Sequence, residues 1–261
     1  MKHILLLFST LIISSVYAQN KTITAGEKLT FTASYNMSGL LTDLAQVTME
    51  TSEVKTSKAT LLRLKCKART YSKWDHFFKI DDLYESYVNP NTLKPYLYQR
   101  DIDEGGHYKF EKYNFSYKTN TVKTLRRQKS KNFKSGFWDR NESIKLNPGA
   151  RDLVTTLYHI RNLDIDKASI GSSDTFTVLF DAQETKVKMT LLGKETINTK
   201  IGKKECYKIA ITISNSDVLK GNNDNIIWLT ADANKIPVYA KFKIAVGSGE
   251  LRIQSATGLK H

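Results

Sequence analysis

Residues that commonly build chemical sites are scarce in this sequence, and each scarcity closes off a class of function. Cysteine occurs twice, at Cys66 and Cys206, too few for the disulfide framework that staples small exported domains. Cys66 shares the apolar phase of its segment, whereas Cys206 lies on the phase opposite Tyr207, Ile209, Ile211 and Ile213. Two separate thiols are the expectation, with one bridge as the alternative. The histidines His3, His76, His107, His159 and His261 form no H-x-H or H-E-x-x-H pair, so no metal is expected. There is no G-x-S-x-G elbow and no P-loop, and neither cysteine has a nearby histidine to activate it. No cofactor and no enzymatic activity are implied. After residue 18 no apolar run is long enough to cross a bilayer. Internal repeats and low-complexity linkers are missing too.

Carboxylates are the one exception. Asp81, Asp82 and Glu85, or Asp101, Asp103 and Glu104, could serve a hydrolase or hold calcium. However, Asp101-x-Asp103 lacks the later ligands of an EF-hand. These groups read as turn acids and ion-pair partners, and a hydrolase is the trailing alternative.

The N-terminus has the pattern of an export signal. Lys2 precedes an almost unbroken apolar run from Ile4 to Ile13, and Val16-Tyr17-Ala18 presents small residues to a signal peptidase. Residues 1–18 are therefore expected to be removed, leaving one β-rich domain over residues 19–261, with two halves meeting near 140–165. Periplasmic location follows; secretion, or peripheral attachment to the outer membrane, is the alternative. The net charge of +14 favours acidic partners such as anionic lipid, lipoprotein or envelope polysaccharide, and export argues against nucleic acid. From Lys112 to Trp138 the chain has no acidic residue. Arg126, Arg127, Lys129 and Lys131 in this stretch are candidates for docking on an anionic surface, the plainer reading being a solvated hairpin.

Period-two alternation dominates the rest. Leu29, Phe31, Ala33 and Tyr35 alternate with polar residues, and Leu62, Leu64, Cys66 and Ala68 alternate with Arg63, Lys65, Lys67 and Arg69. Such strands bury one face and wet the other. Gly105-Gly106 favours a two-residue hairpin. Partners whose numbers sum to 211 would then face each other, setting Tyr96 opposite Phe115, Tyr98 opposite Tyr113 and Arg100 opposite Glu111. Separate strands are expected at 176–180, 187–191, 196–199, 206–213, 226–230, 238–245 and 250–254, with a turn at Gly221–Asp224. One helix is expected over 148–162. Asn147 would cap it, Pro148 would open it, and Leu153, Val154, Leu157, Tyr158 and Ile160 would form its apolar stripe. The fold class is thus mainly β: an antiparallel, strongly curved sheet or half barrel with one short helix packed on it.

Several runs resemble the DUF3108 family of exported bacterial proteins: Gly26–Phe31, Phe77–Ser86, Glu104–Gly106, Asp152–Arg161, Leu192–Glu195, and Ile227–Asp232 with Ile236–Val238. The resemblance implies an envelope protein of Bacteroidetes type with no assigned activity. The strand pattern is also similar to the half barrels of periplasmic lipoprotein carriers. A non-enzymatic role is therefore expected, in which the curved sheet binds an apolar or amphiphilic envelope component. Its pocket should lie between helix and sheet, near Leu157, Tyr158, Tyr96, Tyr98 and Arg100. The alternative is an envelope scaffold that docks through the basic segment. Intact mass of the exported protein should show a chain beginning at Gln19; retention of residues 1–18 would refute the cleavage assignment.

Overall fold

One face of most strands is apolar, and in the computed structural model fifteen strands join edge to edge to keep that face on one side. The structure describes residues 19–37, 39–130, 136–214, 225–243 and 247–261. The leader at 1–18, Lys131 and the turn expected at Gly221–Asp224 lie outside them. The first wing contains β1 (Lys28–Met37), β2 (Leu40–Lys55), β3 (Thr60–Thr70), β4 (Asp81–Val88), β5 (Pro95–Glu104), β6 (His107–Ser116), β7 (Thr121–Lys129) and β8 (Phe137–Lys145). The second contains β9 (Arg151–Asp152), β10 (Ser173–Phe180), β11 (Gln183–Thr199), β12 (Gly202–Ile213), β13 (Ile226–Thr230), β14 (Pro237–Lys243) and β15 (Ser248–Thr257). Strands β1 and β15 pair in the middle and each wing meanders outward, ending on β8 and β9. Every pairing is antiparallel except β9 with β10. The two edges do not pair with each other, so the sheet is barrel-like but open.

Directly opposed residues share a face. Register therefore carries the inner face from Leu191 and Ile209 through Ile227, Ala240 and Leu251 to Ala33. Leu29, Phe31, Met49, Leu62 and Leu64 are buried on it, as alternation required. Cys66 belongs to this face and Cys206 to the other, and both thiols are free.

The hairpin register agrees with the sequence reading. Partners sum to 211 from Leu97–Asn114 to Glu104–His107, and Gly105 and Gly106 have φ of 57° and 85°, the positive pair of a type I′ turn. Tyr98 and Tyr113 pack with ring centroids 5.2 Å apart. Tyr96 does not join them. Tyr87 opposes Leu97 while Val88 opposes Pro95, so Tyr96 is the extra residue of a bulge and is 44% exposed. The strands expected at 187–191 and 196–199 form a single strand, β11, with a shift between Leu191 and Gly193.

The helix is shorter than expected. It runs over Leu153–His159 (α1) and continues as a 3-10 turn over Ile160–Asn162. Gly149 at φ 82° and the Ala150 N–H to Asn147 carbonyl bond of 3.1 Å shape residues 147–150 into a turn. Arg151 and Asp152 then pair with Val178 and Leu179. Asp152, not Asn147, is the cap: its Oδ1 accepts from the Thr155 N–H at 2.8 Å and from Ser86 Oγ at 2.6 Å. Thr155 Oγ1 donates to Oδ2 at 2.7 Å. Val154 and Tyr158 then enter a core cluster with Phe31, Leu64, Tyr98 and Tyr113.

Past α1, the chain is held by a wholly buried ion pair. Arg161 Nη1 and Nη2 donate to Glu27 Oε1 and Oε2 at 2.6 and 2.7 Å, and Nε donates to the Asn234 carbonyl at 3.1 Å. Both side chains have zero exposure. Arg161→Met leaves the Glu27 carboxylate buried without its partner and should cost about 3–5 kcal/mol. Adding Glu27→Leu should recover much of that loss, because both charges are then gone; urea unfolding of the three variants measures it.

Candidate functional site

The tip of the β10–β11 hairpin crosses the inner face and meets the other wing. Asp181 and Ala182 both have positive φ, 51° and 59°, a conformation costing a non-glycine residue on the order of 1–2 kcal/mol. The Ala182 N–H donates to Tyr113 Oη at 2.9 Å, and the Asp181 carboxylate accepts from Arg100 and Lys109. Arg100 also pairs with Glu111 at 3.0 Å, Tyr113 Oη donates to Glu111, and the Arg100 guanidinium lies 4.3 Å from the Phe180 ring centroid. Burial works against ionisation of Asp181, but Lys109 and Arg100 outweigh it and hold its carboxyl below the usual range. Arg100 is 2% exposed. It fastens two wings through Nη2, which meets both Glu111 and Asp181.

The other residues singled out from sequence are placed as follows. Tyr98 and Tyr158 are buried without exposure, Leu157 is half-buried, and Tyr96 stands outside on its bulge. In the basic segment, Arg126 bonds Glu142 at 3.1 Å and the Asp181 carbonyl at 3.4 Å, and Arg127 bonds Asp139 through two nitrogens at 2.8 and 2.6 Å. Lys129 remains exposed. Two of the three described charges of this group are thus neutralised within the fold.

A half-open hollow of about 290 Å³ lies beside the 3-10 turn at Ile165–Lys167. Its apolar walls are Leu163, Ile165, Met189, Leu191 and Ile209, and Asp164, Ala168 and Asp174 are exposed at its margin. Met189, Leu191 and Ile209 lie on the inner face of β11 and β12, and Ile165 folds back onto them. The strand residues were legible as apolar strand positions. The hollow was not, because it needs the chain after Asn162 to fold back over the second wing. The apolar pair Leu163 and Ile165, just past the helix, was the available signal.

Two of the acidic residues, Asp82 and Glu104, come together, whereas Asp81 pairs with Lys67 and Glu85 with Arg63. Asp82 is 4% exposed, accepts from the Asp103 N–H at 3.3 Å and lies against Glu104. Burial first, and then the charge and hydrogen bond of Glu104, push its carboxyl from 3.8 up to about 7. Among the described residues no group of three or more His, Cys, Asp or Glu side chains is arranged to hold a metal ion. The folded protein retains a proton on Asp82 that the unfolded chain releases near pH 4, so stability through this group falls as pH rises from 4 to 7. His159, which burial and the Arg151 charge lower to about 4, contributes with the opposite sign. The comparison is therefore with the variant: the melting temperature of Asp82→Asn should fall less than wild type between pH 4 and 7. Parallel pH profiles would refute the buried proton.

The open sheet with its inner helix is similar to a solved beta-barrel-like protein of domain of unknown function DUF1849 from Brucella abortus. The TM-score is 0.54 at 10% identity, covering 89% of this chain and 97% of that one. A protein with YmcC-like fold from Bacteroides fragilis aligns over 90% of this chain and 96% of its own, at 9% identity and a TM-score of 0.31. The first likeness concerns the fold alone. No curated protein matches this chain. The model of the family described as protein of unknown function (DUF3108) matches residues 30–254, and the chain belongs to that family.

Proposed function

We propose that this is a non-enzymatic, exported envelope protein that takes an apolar or amphiphilic molecule into the hollow beside Ile165. The observation that carries the reading is the hollow itself. Five apolar side chains line about 290 Å³ of half-open space on the inner face, close to the lower end of the range for small-molecule sites. Ligand sites of this kind combine apolar walls with a few polar groups at the mouth, the part that Asp164 and Asp174 would take here. An apolar chain with a hydrogen-bond-donating or cationic end suits that arrangement. The site moves away from Leu157 and Tyr158 because α1 seats Tyr158 against Phe31 and Leu64 with no exposed surface.

A hydrolytic role is disfavoured by how the acids are used. Asp82 and Glu104 bond to each other, Asp152 caps a helix, and Glu111 and Asp181 serve the clasp between the wings. The apolar run from Ile4 to Ile13, followed by Val16 and Ala18 at signal-peptidase positions, supports the envelope location.

Nile red, which brightens in apolar surroundings, should bind the purified protein. Ala168→Trp places an indole at the mouth from an exposed position and should weaken uptake about tenfold or more, the worth of ~1.4 kcal/mol of lost apolar contact. Its melting temperature should stay close to wild type. Uptake unchanged by Ala168→Trp would refute this site.

A further inference from the structure

One rim of the sheet carries large apolar side chains that the core does not use. At this end β1, β3, β5 and β7 finish and β2, β4, β6 and β8 begin. Phe77 is 88% exposed, Leu40 72% and Phe78 46%. Single exposed apolar residues are ordinary, but Phe77 and Phe78 are adjacent and sit on a segment held at several points. The segment between β3 and β4 is fastened to β2 by the Trp74 Nε1–H to Asp43 carbonyl bond at 2.9 Å and the Tyr71 N–H to Leu44 carbonyl bond at 2.9 Å. On its other side the Gly105 N–H donates to the Lys79 carbonyl at 2.8 Å. The Phe78 ring lies so close to Gly105 that a Cβ there would stand 2.9 Å from Cε2. The two phenylalanines are therefore presented by a braced loop.

Cations flank the two phenylalanines directly. Four of the rim's acids have partners within the fold: Asp43 with Arg252, Asp75 with Thr70 Oγ1 at 2.9 Å, Asp81 with Lys67 at 3.0 Å and Asp139 with Arg127; Asp101, Asp103 and Glu104 stand farther along, at the end of β5. Lys73 and Lys79, which bracket the phenylalanines, are exposed, and Lys79 has no ion pair among the described residues. Exposed aromatics between exposed lysines, on a chain of net charge +14, match the two demands of an anionic bilayer surface: apolar insertion at the acyl boundary and cations at the phosphates. A second copy is a poorer fit. It would set the same lysines against each other, and three apolar side chains fall short of the ~1,000 Å² a stable protein interface needs.

We propose that this rim docks on anionic phospholipid membranes, with Phe77 and Phe78 entering the interface and Lys73 and Lys79 meeting head-group phosphates. The site is separate from the hollow beside Ile165, and Ala168→Trp should leave it unaffected. The protein lacking residues 1–18 should co-sediment with phosphatidylcholine vesicles containing phosphatidylglycerol, and much less with phosphatidylcholine alone. Phe77→Ser with Phe78→Ser should weaken binding about tenfold or more, and Lys73→Glu with Lys79→Glu should weaken it similarly and reduce its salt dependence. Tryptophan emission of Phe77→Trp should shift to the blue, relative to wild type, when vesicles are added. Unchanged melting temperatures would show that the variants fold. The proposal is overturned if wild type does not bind the anionic vesicles, if the double serine variant binds as wild type does, or if these substitutions abolish self-association instead.

Discussion

A fully buried arginine holds this protein's interior together. Arg161 sits where the chain leaves its helix, and its three nitrogens contact Glu27 beside β1 and the Asn234 carbonyl in the loop before β14. Those two places flank the middle of the sheet, where the first strand meets the last. A guanidinium taken out of water is tolerated only when its donors are met, so the pair constrains geometry more than it adds energy. It places the end of the helix against the sheet's centre. Asp152 does the same at the other end, reaching Ser86 on β4 while capping the helix.

From that placement the rest of the interior follows. A sheet with one apolar face must cover it, and fifteen strands leave too much face for ten helical residues to hide. The wings curl until the β10–β11 tip reaches β5 and β6, where Arg100, Lys109, Glu111, Tyr113 and Asp181 pair with one another. That polar clasp stands in for the backbone pairing that a closed barrel would have between its edge strands. It engages the charged groups of β5 and β6 with the opposite wing.

The two proposed functions rest on surfaces apart from the clasp and the buried pair. The hollow on β11 and β12 is apolar and sheltered, and the rim at Phe77 and Phe78 is apolar and exposed. A protein that both meets a membrane and shelters an amphiphile would need one surface of each kind. Many acids and arginines that drew attention in the sequence belong to structural pairs, so their chemistry is spent on shape.

The strand character of the chain, the inner and outer faces of β1 and β3, and the register of the β5–β6 hairpin are all legible in the order of residues. These follow from short-range causes: alternation with a period of two, and two glycines that accept positive φ at a type I′ turn. The sequence also located the helix while misjudging its start, because Asn147-Pro148 mimics a cap; the actual cap, Asp152, bonds the Thr155 N–H and is held by Ser86, a residue 66 positions away. Only the tertiary structure decided that Tyr96 leaves its ladder, that Arg126 and Arg127 are neutralised, and that Arg161 meets Glu27 across 134 residues. Pairing at such separations depends on how the wings curl. No local pattern of residues encodes that curl, because it is set by the whole inner face closing over one helix.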